Sequence, residues 1–407
     1  MLLLIIGLVM FIGLVVVHEF GHFVMARRNG VDIEEFGIGF PPRLWKKRIH
    51  SAKGDYNFTI NLLPLGGFVK MKGEHDGDTE PGTFGAASLA GKTKIMAAGV
   101  AMNLLTAFVL LTLLALIGMP KLIDNQFTVK SDTKITRQEI IIGGTEKKSP
   151  ASKAGIQQSD HLVSIQPSNF KLPNTCQSDT TNAEFCGGQF VVKSAKDLSA
   201  ATKKFAGQQV VVKYTRSGDP KQATVTLRST AEVEASKKTG NSKGYLGVFP
   251  SDYTLQRSTW SAPIVAGGLI KQFTVLTFQG LGKAVKGLGS LVAGAVTGNK
   301  TARQHGQTNA SEQVSGPVGI FVILKDGSSL GFQFVLLIIA IISLTLAIMN
   351  ILPIPALDGG RLWLTLLTRG IGKPVSSEKE ELINASGFVF LMLLIVLITI
   401  VDVKRFF

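Results

Sequence analysis

Val17-His18-Glu19-Phe20-Gly21-His22 lies inside the first hydrophobic run of the chain, and how it is read decides the fold. The pattern is H-E-x-x-H. On a helix, residues four apart share one face, so His18 and His22 turn their imidazoles toward one point. Two such ligands can hold one Zn²⁺, with Glu19 beside the metal and placed to take a proton from water. With six histidines in 407 residues, a chance match is expected in only about a few per thousand such sequences. Leu2 to Val17 is almost wholly apolar, and Phe23 to Ala26 carries the run onward. Ionisable groups placed in lipid are costly and mark functional sites. A polar helix end resting among headgroups is the plain alternative, but Arg27 and Arg28 look like the boundary residues. The motif is expected within a membrane.

At 45% hydrophobic residues, a chain of this length has room for several spans and one soluble domain. Four segments approach or meet the length of a transmembrane helix, roughly residues 2–25, 95–118, 330–352 and 383–401. The first is no cleaved signal peptide by its pattern: it lacks a basic n-region and a small-x-small site, and it contains the metal motif. The net charge of +15 does not point to nucleic acid, because no dense basic run is interleaved with aromatics. Membrane proteins collect such charge in loops beside anionic leaflets. Arg27, Arg28, Arg43, Lys46, Lys47, Arg48, Lys92 and Lys94 crowd the first loop, and Arg361, Arg369, Lys373 and Lys379 follow the third span. Both loops are therefore expected in the cytoplasm, with residues 120–329 and the tail from Asp402 outside. Lys404 and Arg405 on that tail run against the assignment.

Tyr56, Phe58, Ile60 and Leu62 alternate with polar residues, which predicts a strand. Pro64-Leu65-Gly66-Gly67 then turns, and Phe68 to Met71 can return as its partner. A hairpin this apolar is expected to dip toward lipid, with its backbone paired internally. Asn103, apolar on both sides, is expected to bridge helices more than to join the chemistry.

Residues 128–249 predict a small α/β domain. Its parts are Ile140 to Ile142, a short helix at Ser149 to Ile156 closed by glycine, strands at Leu162 to Ile165, Val210 to Tyr214 and Ala223 to Leu227, and a capping-box helix from Ser194. The S-P-A-S-K-A-G-I element resembles a PDZ domain of the bacterial, permuted type, which implies binding of extended peptide or chain ends by strand addition. Cys176 and Cys186 sit in a polar insertion at about 166–193, not as C-x-x-C. In an exported loop they favour a disulfide over free thiols. Pro263 to Thr297 mixes small apolar residues with Lys271, Lys283 and Lys286, predicting helices along the outer membrane face. Thr301 to Gln313 is a polar linker.

The third span ends in Asn350-Ile351-Leu352-Pro353-Ile354-Pro355-Ala356-Leu357-Asp358-Gly359-Gly360. Prolines two apart cannot continue a helix, so Asp358 is expected on extended backbone at the level of His18 and His22. Asp358 would complete a His₂-Asp set and leave a fourth position open for water. A helix-capping aspartate is the alternative, physically fair taken alone.

These pieces resemble the site-2 protease family of intramembrane zinc metalloproteases, in particular the bacterial regulator-of-sigma-E protease subgroup. The matching motifs are H-E-F-G-H at 18–22, P-L-G-G-F-V-K-M at 64–71, the PDZ-like element at 149–156, S-G-P-V-G-I at 315–320 and N-I-L-P-I-P-A-L-D-G-G at 350–360. The resemblance implies His18, His22 and Asp358 as ligands of one Zn²⁺ per chain and Glu19 as general base. It implies that Asn350, Pro353, Gly66 and Gly67 lie near the substrate strand, and that the hairpin at 56–71 is a membrane re-entrant β-loop. The implied fold is a polytopic α-helical membrane protein of about four transmembrane helices with that hairpin, plus an extracytoplasmic PDZ-like α/β domain. Its parts are residues 1–120, 121–250, 251–329 and 330–407. The implied place is a bacterial inner membrane, with the active site toward the cytoplasm. The implied substrates are single-span proteins such as anti-sigma factors, or signal-peptide remnants. The two-cysteine insertion departs from the family pattern and leaves open what the PDZ-like groove binds. A small transporter, or a scaffold using only the PDZ-like domain, would need no stoichiometric zinc.

Overall fold

The computed structural model describes residues 2–52, 54–74, 78–169, 189–216, 218–238, 242–299, 301, 316–370 and 376–406. It divides into two units, Met1–Ala115 with Trp260–Phe407, and Leu116–Thr259. In the first, Leu2–Arg28 form helix α1, with Arg27 and Arg28 in its last turn. Its buried positions include Leu4, Leu14, His18 and His22.

Strands β1 (Ile33–Ile49) and β2 (Tyr56–Met71) follow. Both bend at bulges, so each contributes more than one pairing segment. Ile33, Phe36, Gly37 and Ile38 pair with Met71, Val69, Phe68 and Gly67, while Phe36 to Ile38 also pair with Phe58 to Ile60. Trp45 to Ile49 flank the outer side of Tyr56 to Ile60. Phe68–Met71 therefore does not return beside Tyr56–Leu62, as the sequence suggested; the segment at 33–38 lies between them. Helix α2 (Leu89–Ile117) packs Ile95 and Met96 into a core with Ala26, Val31, Ile33, Met71 and Phe84.

The second unit is a mainly antiparallel sheet. Its strands are β3 (Met119–Pro120), β4 (Lys134–Thr145), β5 (His161–Pro167), β6 (Phe190–Val191), β7 (Gln209–Arg216), β8 (Asp219–Thr226) and β9 (Val248–Arg257). They lie in the order β3-β9-β4-β5-β7-β8, with β6 beside β5. Three helices, Pro150–Lys153, Ala195–Lys204 and Thr230–Lys238, are α3, α4 and α5. Ser149 caps α3 by accepting from the Ser152 N–H, and the Ser194–Asp197 capping box starts α4. Ile140, Ile142, Ile165, Leu198, Val210 and Val212 form the core. Asp160 is fully buried, and Arg216 neutralises it with Nε and Nη2 donating to Oδ1 and Oδ2, each at 2.7 Å. The unit is wider than 121–250 because β9, unforeseen in the sequence, continues to Arg257 along β4. Cys176 and Cys186, expected as a disulfide, lie outside the described residues, as does most of the linker at 301–313.

The chain returns to the first unit through α6 (Ala262–Thr297), one continuous helix of 36 residues where several shorter ones were expected. Lys271, Lys283 and Lys286 fall on exposed positions of it. Pro317–Ser329 is α7, Phe332–Ile351 is α8, Asp358–Gly370 is α9 and Ser377–Phe406 is α10. Helix α7 packs Leu324 against Leu4 of α1 and Val335 of α8. Among the described residues, α1, α2, α6, α8 and α10 contain stretches long and apolar enough to cross a membrane, one more than the four expected.

Asp402 fixes the end of α10. Its buried Oδ2 accepts the N–H groups of Gly316 and Gly319, both at 2.8 Å, at the start of α7. Such charge-assisted bonds satisfy helix-end donors that would otherwise be buried and unpaired. Asp402→Ala is expected to cost about 2–3 kcal/mol of stability, read as a lowered unfolding midpoint in detergent micelles. An unchanged midpoint would remove Asp402 from the packing argument.

Candidate metal centre

The helical spacing of H-E-x-x-H does what it requires: His18 and His22 project from one face of α1, with ring centroids 4.9 Å apart. Their Nε2 atoms are 3.2 Å apart, and Asp358 Oδ2 lies 2.9 Å from His18 Nε2 and 3.1 Å from that of His22. Among the described residues, these three form the cluster able to hold a metal. Both histidines are buried, and the Asp358 side chain keeps 27% of its exposure.

Asp358 arrives there because α8 stops at Ile351 and the Pro353-containing segment turns before α9 begins. Ala356 in this turn has φ +72°, a conformation rare for a residue with a side chain. Gly359 and Gly360 let α9 approach closely, since a Cβ on either would overlap the carbonyls of Leu352 or Ile354. Asp358 is thus the first residue of a helix instead of part of an extended segment. Its carboxylate still faces the histidines, so the helix start and the inward-facing acid coincide.

The donor set fits one zinc. Ligands held at about 2.0–2.1 Å in tetrahedral geometry are about 3.3 Å apart, close to the observed triangle. His22 Nδ1 lies 2.8 Å from the Ile95 carbonyl, a buried bond that places the ring proton on Nδ1 and leaves the Nε2 lone pair facing inward. Gly99 on α2 stands against the Nε2 edges of both rings: a Cβ there would sit 2.6 Å from His18 Nε2 and would also overlap His22.

A cavity of about 240 Å³ opens on this cluster, lined by Val15, His18, Glu19, Asn103, Leu346, Asn350, Ala356, Leu357 and Asp358. Glu19 faces it, and Val69 of β2 lies beside the Glu19 carboxylate. A Cβ on Gly67 would stand 3.6 Å from Glu19 Cγ, and one on Gly66 3.2 Å from Val15 Cγ1, so this end of β2 borders the site. Of the positions singled out in the sequence, Asn350 lines the cavity, whereas Pro353 is exposed in the turn and does not. Asn103 lies closer to the site than its expected bridging role implied. Its side-chain nitrogen is 3.2 Å from His18 Nδ1, while its backbone carbonyl accepts from Ser343 Oγ of α8 at 2.8 Å. Gly99 went unnoticed in the sequence, although its spacing of four from Asn103 puts both on one face of α2.

A buried pair of histidines and a carboxylate, an acid beside them and, among the described residues, five helices of membrane-spanning length are features that fit a membrane metalloendopeptidase. The chain belongs to peptidase family M50, the site-2 proteases, whose model matches residues 6–394. Relatives agree along their whole length. A Clostridium perfringens protein provisionally named a zinc metalloprotease is 28% identical, over 98% of both chains. Zinc metalloprotease RasP of Shouchella clausii is 28% identical, over 97% of both.

Proposed function

We propose that this protein hydrolyses peptide bonds within or near the transmembrane segment of single-span membrane proteins, from a site open toward the cytoplasmic side of a bacterial inner membrane. The observation that carries the reading is the joining of H-E-x-x-H on α1 with Asp358 on α9, beside a strand end. His18, His22 and Asp358 hold one zinc; Glu19 is the general base. Zinc at this position supplies Lewis acidity for the scissile carbonyl and an acidified water. Glu19 takes the proton from the attacking water and passes it to the leaving amine.

A transmembrane substrate helix satisfies its own amides and must unwind before it can be cut. The Gly66–Met71 end of β2 offers backbone groups to the unwound strand, and Asn350 contacts it from the other lining of the cavity. The unit at Leu116–Thr259 is PDZ-like in our reading, supported by its Ser149-capped short helix and the strands around it. It lies outside the cytoplasm and admits substrates already trimmed of their ectodomains, of the anti-sigma-factor or signal-peptide-remnant kind.

One assay tests the whole reading. Purified protein is incubated with a single-span substrate, full-length or pre-trimmed, with and without a chelator. The expected result is cleavage of the trimmed form within its apolar segment, loss of cleavage on chelation, and recovery on adding zinc. Cleavage that ignores the chelator would sink the metal assignment, and equal cutting of both forms would sink the filter.

A further inference from the structure

We propose that Asn103 is a positioning residue that sets the tautomer of His18: its amide oxygen, turned toward the ring, accepts the Nδ1 proton and leaves the Nε2 lone pair free for the metal. The inference rests on the zinc reading above and assigns a role that the ligand set does not contain.

A neutral imidazole carries one N–H, so a histidine that binds metal through Nε2 must hold its proton on Nδ1, and a buried N–H needs an acceptor. For His22 the acceptor is the Ile95 carbonyl. For His18 the group against Nδ1 is the Asn103 side chain, at 3.2 Å. In the orientation shown, the amide nitrogen faces Nδ1 and Oδ1 is buried without a hydrogen-bond partner among the described residues. An amide nitrogen can only donate, so this orientation puts the ring proton on Nε2, pointing at His22 and Asp358 where the metal belongs. A half-turn of the amide exchanges two groups of nearly the same shape, and the hydrogen-bond network decides between them.

Either orientation leaves one amide atom without a partner among the described residues, so His18 makes the choice. With oxygen toward Nδ1, both histidines have the same arrangement: a carbonyl-type acceptor on Nδ1 and Nε2 toward Asp358. The residue is well held for this task. Asn103 is buried, and Ser343 Oγ donates to its backbone carbonyl, tying α2 to α8 at this level. Partners of this kind orient a ligating ring and raise its basicity, and losing one costs about 10–100-fold in metal affinity.

The test measures zinc affinity by chelator competition on full-length protein in detergent, with folding followed separately by thermal unfolding. Asn103→Leu keeps the bulk and removes the acceptor; a drop of about 10–100-fold is expected. Asn103→Asp restores an acceptor that cannot donate, and should bind zinc at least as tightly as the parent. If the amide instead donated to Nδ1, Asn103→Asp would be as damaging as Asn103→Leu, and the proposal would fall. Ser343→Ala removes only the helix contact and should leave affinity unchanged; a loss equal to that of Asn103→Leu would assign the effect to packing.

Should Asn103→Leu not fold, Asn103→Asp measured against the parent decides the matter: zinc held at least as tightly as in the parent is expected, and a loss of about 10–100-fold would overturn the assignment. A parent protein that binds no zinc at all would instead defeat the underlying metal reading, so the two failures are distinguishable.

Discussion

Glu19→Gln is expected to keep zinc at the parent level, still bind a transmembrane substrate, and cut it about 10²–10⁴-fold more slowly. The expectation follows from where Glu19 stands. It is adjacent in sequence to His18 but does not share the metal-holding cluster, which closes through His18, His22 and Asp358. It faces the cavity those residues line, where a substrate carbonyl and a water would meet. Glutamine preserves length and shape and removes only the basic oxygen, so packing against the Gly67 end of β2 survives. Metal analysis together with single-turnover cleavage checks both halves of the claim. Zinc lost from a folded Glu19→Gln would make Glu19 a ligand; cleavage near the parent rate would take it out of the mechanism. By contrast, His22→Ala or Asp358→Ala should lower zinc and activity together.

The centre was legible because its signals are local. Helical spacing alone turns His18 and His22 to one point, and the paired prolines at 353 and 355 announce a break that lets Asp358 turn inward. What the sequence hid depended on long-range pairing. Residues 33–49 looked like a basic loop, since Arg43, Lys46, Lys47 and Arg48 sit on an outer, exposed segment of β1 where charge is tolerated. Without that strand, Phe68–Met71 had only Tyr56–Leu62 to pair with, and the nearest partner in sequence was the wrong one. Pro317 begins α7, a helix the sequence did not announce, at a position where its missing N–H costs nothing. The lysines within residues 263–297 suggested helices along the outer membrane face; in the structure they take exposed positions on one continuous helix, α6. Asn103 was visible as a buried amide, but only the fold brings its side chain to His18.

Gly99→Ala is expected to disable the centre with a single methyl. Gly99 lies on α2 where that helix passes against the Nε2 edges of the two rings, and any Cβ there would overlap them. The collision is with the metal-facing nitrogens of His18 and His22, not with a flexible side-chain end that could move away. Both rings are fixed on their far sides, His22 by the Ile95 carbonyl and His18 by Asn103, and both anchors belong to α2 itself. Retreat of α2 would therefore relieve the clash only by stretching the bonds that orient the rings. A displacement of about 1 Å at a reacting centre costs on the order of 10²-fold in rate, and a disturbed ligand set loses metal as well. The expected outcome is a folded protein with sharply reduced zinc affinity and activity down by at least about 10²-fold. The measurements are zinc titration, cleavage rate, and thermal unfolding without metal to show that the helices still assemble. Parent-like zinc binding and activity in Gly99→Ala would show that the rings can shift freely, and the picture of a centre held rigidly between α1 and α2 would have to be abandoned.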